Sequence, residues 1–209
     1  MHPEHRWVRP MTPVGLTQRV LPPDAHGERR LALDVRWNAF LAACGLLAVP
    51  LPLEADLADA TLRQAGCGGV ILTGGNDLQA YGGDAGERDQ LEEHLIRRAA
   101  AEGTPLLGVC RGMLMLLHTY GARLTRLEGH AGTRHELTGK FAGRTVNSFH
   151  NWGCVQAPPA LEVVARAGAV AEAVQLPGTR IAAVMWHPER SDTPDPADLK
   201  LFVEMFGKD

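Results

Sequence analysis

Cys110 is the residue whose surroundings most clearly permit chemistry. The run Leu106-Leu-Gly-Val109 is short and apolar and reads as a buried parallel strand. Gly108-Val-Cys-Arg-Gly112 ends it, and an apolar, helix-like run over 113–120 follows. Strand, tight turn and helix make the frame of a nucleophile elbow, with cysteine where other hydrolases carry serine. The flanking glycines suit a turn in which a Cβ at 108 or 112 collides with neighbouring backbone. The thiol then stands at the carboxyl end of a strand, where open α/β sheets bind ligands. It also opens a helix, whose partial positive charge favours thiolate. An inert, buried thiol is the other fate open to a lone cysteine here; the paired glycines and the helix favour the nucleophile.

Such a nucleophile needs a base. Ile181-Ala-Ala-Val-Met-Trp186 is a second apolar run of strand character, and it ends in His187-Pro188-Glu189. Residues two apart in extended chain point the same way. Glu189 can therefore hold the His187 imidazole in one tautomer while the other ring nitrogen faces the thiol, as in a serine-protease triad. Alone, His-Pro-Glu is a weak signal. At the end of an apolar strand, and paired with the elbow, it is a strong one.

Taken together, Gly108-Val-Cys-Arg-Gly-Met113 and Trp186-His-Pro-Glu189 resemble the class I glutamine amidotransferase superfamily, and within it the γ-glutamyl hydrolase branch, the peptidase C26 group. Leu72-Thr-Gly-Gly-Asn-Asp-Leu78, Arg88-Asp89 and Val146-Asn-Ser-Phe-His-Asn151 agree with that branch. The resemblance runs from about Gly15 to the C-terminal helix. It implies a flavodoxin-like α/β fold, a mostly parallel sheet with helices on both faces, and hydrolysis of a γ-glutamyl amide through a thioester. Thr17-Gln-Arg-Val20, Ala32-Leu-Asp34 and the 74–78 and 147–151 segments are more similar to γ-glutamyl-CDP-amidate hydrolases than to γ-glutamyl-GABA hydrolases. The chain departs from the superfamily four residues after the nucleophile, where Leu114 replaces the usual Gln; this affects how a glutamyl group is held, not the triad.

The elements that must position these groups can be followed along the chain. Residues 14–17 read as the first strand, with Arg19 at its carboxyl end, and residues 1–13 as a flexible leader without the apolar core of a signal peptide. Strands are expected at 46–49 and 70–72, and helices at 56–64, with Leu57 and Leu62 inward, and at 87–102. The acidic start and basic later turns of that last helix suit the macrodipole. A late meander (161–167, 169–174, 181–185) leads to the triad strand. A closing helix over 195–206 carries Leu199, Phe202, Val203 and Phe206 on one face. The whole reads as one domain over 14–209.

Substrate contacts are assigned around this frame. Thr73-Gly-Gly-Asn-Asp77 lies at the end of a buried strand, and two glycines let backbone approach a ligand. Gly75 N–H and Arg111 N–H are the candidate oxyanion donors. Arg19, Arg29 and Asn76 are candidate substrate contacts, although Glu28-Arg29 reads equally well as a solvated charge run. The segment 124–152 breaks the βα alternation and holds His130, His135, Glu136 and His150. Three histidines and a carboxylate are a zinc-like set, but His130-x4-His135 with intervening glycine does not present two ligands on one helix face. The resemblance instead implies an inserted hairpin over the pocket, with His135, Ser148 and His150 touching substrate. No metal or organic cofactor is expected.

Composition narrows the function further. The chain has 209 residues, 45% of them hydrophobic, which suits one sizeable core. A net charge of −3 gives no reason to expect nucleic acid or an anionic membrane as partner. Four cysteines, at 44, 67, 110 and 154, show no CxxC pair and suit a reducing, cytoplasmic setting. No apolar stretch approaches the roughly twenty residues of a membrane span. The oligomeric state stays open, with a homodimer among the options. Three functions compete: a stand-alone hydrolase acting on a small γ-glutamyl substrate, a glutaminase subunit passing ammonia to a synthetase, and a flavodoxin-like binding module with a degenerate site. The presence of Cys110, His187 and Glu189 disfavours the third. The hydrolase-like 146–151 segment disfavours the second.

Overall fold

A computed structural model describes residues 10–207. Its first half alternates strand and helix: β1 (Thr12–Leu16), a small hairpin of β2 (Arg19–Val20) and β3 (Leu31–Ala32), α1 (Arg36–Ala43), β4 (Leu46–Pro50), α2 (Ala55–Gln64), β5 (Val70–Leu72), α3 (Gly86–Glu102), β6 (Leu106–Val109) and α4 (Arg111–Thr119). An irregular stretch follows with β7 (Thr125–Arg126), β8 (Ala131–Glu136), β9 (Thr138–Gly139), β10 (Thr145–Phe149) and β11 (Trp152–Gly153). The chain closes with β12 (Glu162–Ala167), β13 (Val170–Leu176), β14 (Ile181–Val184) and α5 (Pro196–Phe206).

The central sheet has the order β4-β1-β5-β6-β14-β13-β12-β9. Strands β4, β1, β5, β6 and β14 are parallel, and β13, β12 and β9 continue it antiparallel. Parallel strands buried on both faces read as continuous apolar runs, and the two faces can be told apart by alternation. Val70 and Leu72 of β5 face a core with Leu62, Leu95 and Met113 from α2, α3 and α4. Ile71 faces the opposite core with Trp37 and Phe40 of α1 and Phe202 and Phe206 of α5. Helices thus cover both faces of a mostly parallel sheet, as the resemblance implies. Among the described residues no helix is long and apolar enough to cross a membrane.

Three details differ from the sequence reading. Thr12 and Pro13 already pair with β4, so the sheet begins inside the expected leader, of which residues 1–9 lie outside the described part. Leu57 is exposed, and Ala58 packs inward beside Leu62. Val203 is exposed, while Asp198 is buried on the inner side of α5 because it accepts a hydrogen bond from Trp186 Nε1 at 3.0 Å. The start of α5 follows its sequence: Pro196 occupies the first turn and Asp195 caps the Ala197 N–H at 2.8 Å.

Candidate active site

Strands β6 and β14 are hydrogen-bonded parallel neighbours in the register Val109–Val184. The residues that follow them, Cys110 and His187, therefore leave the sheet side by side although far apart in sequence. Cys110 adopts φ 53° and ψ −104°, one of two non-glycine residues with positive φ among those described. Such a conformation costs about 1–3 kcal/mol and persists only where its surroundings impose it. Close packing imposes it here. A Cβ on Gly108 would stand 2.7 Å from the Gly112 carbonyl carbon, and one on Gly112 2.3 Å from the Leu72 carbonyl oxygen. The Cys110 N–H donates to Val184 O at 2.8 Å, and Cys110 O accepts from Met113 N and Leu114 N to open α4.

His187 lies between Cys110 and Glu189. Its Nδ1 is 2.6 Å from Glu189 Oε1, and both residues are buried. Burial works against charge on the imidazole. The Cys110 sulfur and the Glu189 carboxylate outweigh it and raise the ring from 6.5 to about 9. Asn147 holds the His187 main chain from both sides: its Nδ2 donates to His187 O and its Oδ1 accepts from His187 N, each at 2.8 Å. A Cβ on Gly74 would meet His187 Cε1 at 2.5 Å, so that glycine makes room for the ring.

Cys110, His187, Gly75 and Arg111 all line one cavity of about 420 Å³, with Leu114 among its walls. Arg111 holds the first helical position, whose N–H has no intrahelical acceptor. Among the described residues the Gly75 N–H likewise donates to no protein acceptor. The carbonyls around it are held by Arg88. That fully buried guanidinium donates to Thr73 O at 2.6 Å, Gly75 O at 2.7 Å and Gly74 O at 3.1 Å. Its charge is balanced by Glu92 at 2.9 Å, which also accepts from Thr17 Oγ1 and pairs with the Arg111 guanidinium. Arg111 pairs in turn with Asp89. Burial pushes the Glu92 carboxyl up, but Arg111 and Arg88 pull it further down, below its ordinary value.

Arg19 is exposed at the cavity rim, its stem 3.0 Å from where a Gly75 Cβ would be. Arg190, directly after Glu189, lines the same cavity and stacks over Phe149 at 4.8 Å from the ring centroid. Nothing in the sequence alone marks Arg190 or Glu92 as part of the site. Arg88 stands out only through the resemblance, although charged residues at i and i+4 among Leu91 and Leu95 are a sign of a buried ion pair.

Four expected substrate contacts are placed otherwise. Arg29 lies outside the cavity wall and pairs with Glu87 in solvent. Asn76 lines the cavity, but its side chain bridges the Val20 backbone, accepting from N and donating to O at 3.0 Å each, so it anchors the segment carrying Arg19. Ser148 is buried and donates to the His130 carbonyl. His135 lies outside the cavity wall and packs on His130, ring centroids 4.3 Å apart. His150 does line the cavity, with Nδ1 against Trp152 O at 2.9 Å.

Contrary to what the spacing alone suggests, the histidines of the 124–152 segment come together. Strands β8 and β10, not a helix, gather His130, His135 and His150, and the carboxylate beside them is Glu172 of β13, not the exposed Glu136. Burial, with His135 and His150 adding to it, lowers His130 below its ordinary value against the pull of Glu172.

This arrangement can present a sulfur nucleophile, a charged imidazole and two free amides to one carbonyl group. Comparison with known proteins gives the family. A family model described as Glutamine amidotransferase class-I matches residues 43–205. The chain is similar to the γ-glutamyl-CDP-amidate hydrolase of Campylobacter jejuni, 32% identical over 183 residues, 86% of this chain and 90% of that protein. It is also similar to the carbamoyl phosphate synthase small chain of Caulobacter vibrioides, at 28% identity over 79% of this chain but 42% of that one. Among solved structures, the glutaminase domain of CTPS from Trypanosoma brucei superposes with a TM-score of 0.65 over 95% of both chains at 16% identity, a likeness of fold.

Proposed function

Because the chain belongs to the class I glutamine amidotransferase family, we propose that it is a stand-alone hydrolase of a γ-glutamyl amide whose leaving group carries phosphate. The observation that carries the chemistry is the strained Cys110 beside the His187–Glu189 pair at the ends of two neighbouring strands. The Cys110 thiolate attacks the δ-carbonyl carbon, and the Gly75 and Arg111 amides stabilise the oxyanion, each such donor contributing about 3 kcal/mol. The C–N bond breaks as the His187 imidazolium gives its proton to the departing nitrogen, which leaves a thioester. Water then attacks that thioester, giving a proton to His187, and glutamate and the thiolate are released.

Arg19 and Arg190 at the cavity rim support a phosphate-bearing leaving group, since guanidinium makes charge-assisted, bidentate bonds to phosphate. The similarity to the Campylobacter enzyme points the same way. Leu114 offers no hydrogen bond from α4 to the glutamyl group, so binding leans on remote contacts, whose energy can be expressed in the transition state. The test compares γ-glutamyl-CDP-amidate, γ-glutamyl-GABA and glutamine. The first should be turned over fastest, and Arg19→Ala and Arg190→Ala should each lower kcat/KM for it by about tenfold or more, leaving the others unchanged. Fast glutamine turnover that depends on an added synthetase would overturn the proposal in favour of an ammonia-delivering subunit.

A further inference from the structure

We propose that His130, His135, His150 and Glu172 form a zinc-class divalent-cation site that ties the β8/β10 pair to the central sheet. The four come from separate pieces of chain: His130 just before β8, His135 on it, His150 just after β10, and Glu172 on β13. One ligand atom from each lies within 4.8 Å of all the others. Glu172 Oε1 is 3.4 Å from His150 Nε2 and 4.0 Å from His130 Nδ1. Tetrahedral zinc with bonds of about 2.0–2.1 Å holds its ligand atoms about 3.4 Å apart, so the set is within side-chain adjustment of that geometry. Three imidazoles and one carboxylate are donors that suit zinc.

Burial and hydrogen bonding separate this cluster from a chance gathering. Glu172 is fully buried and His150 is 3% exposed. Both Glu172 carboxylate oxygens, His130 Nδ1, His135 Nε2 and His150 Nε2 are buried without a hydrogen-bond partner. A carboxylate in a core strand with neither donor nor cation costs several kcal/mol. The Trp152 carbonyl accepts a hydrogen bond from His150 Nδ1–H, which places the ring's lone pair on Nε2, facing Glu172. A carbonyl behind the far ring nitrogen is the usual outer support of a metal-bound histidine. Two lone pairs 3.4 Å apart repel unless a cation stands between them. A proton on His150 would relieve that pair but would leave the groups of His130 and His135 unserved.

With all four positions supplied by protein the site is closed, and its role is structural. Phe149 to Trp152 line the Cys110 cavity, so the cation fixes one wall of the pocket and takes no part in thioester chemistry.

The test uses the untagged full chain carrying Cys110→Ala, so that no thiolate of the active site competes for metal. After chelator treatment and dialysis it is titrated with Zn²⁺ against a chromophoric chelator, and separately with Co²⁺. One equivalent should bind, and the cobalt form should show the intense visible bands of a tetrahedral nitrogen–oxygen site without thiolate charge transfer. Adding His135→Ala or Glu172→Gln should weaken binding more than about a hundredfold, since loss of outer-sphere support alone costs 10–100-fold. Circular dichroism of each metal-free variant separates lost ligation from unfolding, and the cobalt spectrum is decisive with all four ligands intact. No stoichiometric uptake, a sulfur-ligated spectrum, or binding that survives both substitutions would overturn the proposal.

Discussion

Cys110 holds its backbone at φ 53° because Gly108, Gly112 and Leu72 leave no alternative, and the strain aims its sulfur at His187. The other three thiols are placed to be inert: burial pushes Cys44 up to about 12 and raises Cys67 and Cys154. A diazo-ketone glutamine analogue should therefore label Cys110 alone, and Cys110→Ala should abolish turnover with the fold retained. Peptide mapping that finds the label mainly on another cysteine refutes the assignment. For His187, raised from 6.5 to about 9, the sign is fixed by linkage. Its charged form contributes stability fully below pH 6.5, and that contribution is lost as pH rises through about 9. The same loss removes the proton needed by the leaving nitrogen, so kcat/KM should hold through neutral pH and fall near pH 9. Glu189→Gln takes away one of the two partners holding the ring up. Its alkaline limb should move to lower pH, and a profile that does not move would show that Glu189 merely packs against the ring.

Above single residues, what matters is how α3 and β5 hold the loop that carries Gly75. Arg88 spans from α3 to three successive carbonyls, and the two guanidinium charges of Arg88 and Arg111 are balanced by the carboxylates of Glu92 and Asp89. Arg88→Met leaves Glu92 with one guanidinium in a buried site and should cost about 3–5 kcal/mol. If the clamp also orients the Gly75 amide, kcat should fall by up to about 10²–10³, the cost of one oxyanion donor. Denaturant midpoints and kcat measured on one preparation decide this: stability lost at unchanged kcat would make the network structural only. The limits of the sequence are visible in this network. The elbow was legible because its information is local, an apolar strand, two glycines and a helix start within eight residues. The order of charges on α3 read as a macrodipole pattern, since the burial of Arg88 and Glu92 is decided by Thr17 and Arg111 on other elements. Asn76 and Ser148 were recognisable as special, but their side chains satisfy backbone of Val20 and His130, partners that no spacing reveals. Arg29 and Arg190 exchange roles for a similar reason: one lies in a solvated loop, the other follows the triad strand into the cavity.

At the scale of the whole molecule, a net charge of −3 surrounds a cavity whose rim carries two arginines. Arg19 makes no ion pair among the described residues, and Arg190 meets Glu189 only at 3.6 Å, so neither is fully neutralised locally. Asp77 also lines the cavity, so the wall carries an excess of positive charge rather than one sign throughout. A concave site with such an excess still raises the encounter rate with opposite charge, an effect that salt screens. The parallel sheet made this end the place to look, because ligands gather at the carboxyl ends of such strands. The sign of the rim, in contrast, depends on which arginines the loops bring there. The molecule should thus treat its substrates differently as ionic strength rises. For γ-glutamyl-CDP-amidate, kcat/KM should fall steadily between low and physiological salt, where the screening length shrinks from about 30 Å at 0.01 M to about 8 Å at 0.15 M. For glutamine, which carries no net charge at neutral pH, it should stay flat. Arg19→Ala and Arg190→Ala should each reduce the slope for the nucleotide substrate, and the double variant should nearly remove it. Equal slopes for both substrates, or a slope that survives the double substitution, would place the attraction elsewhere on the surface and remove the electrostatic support for a phosphate-bearing leaving group.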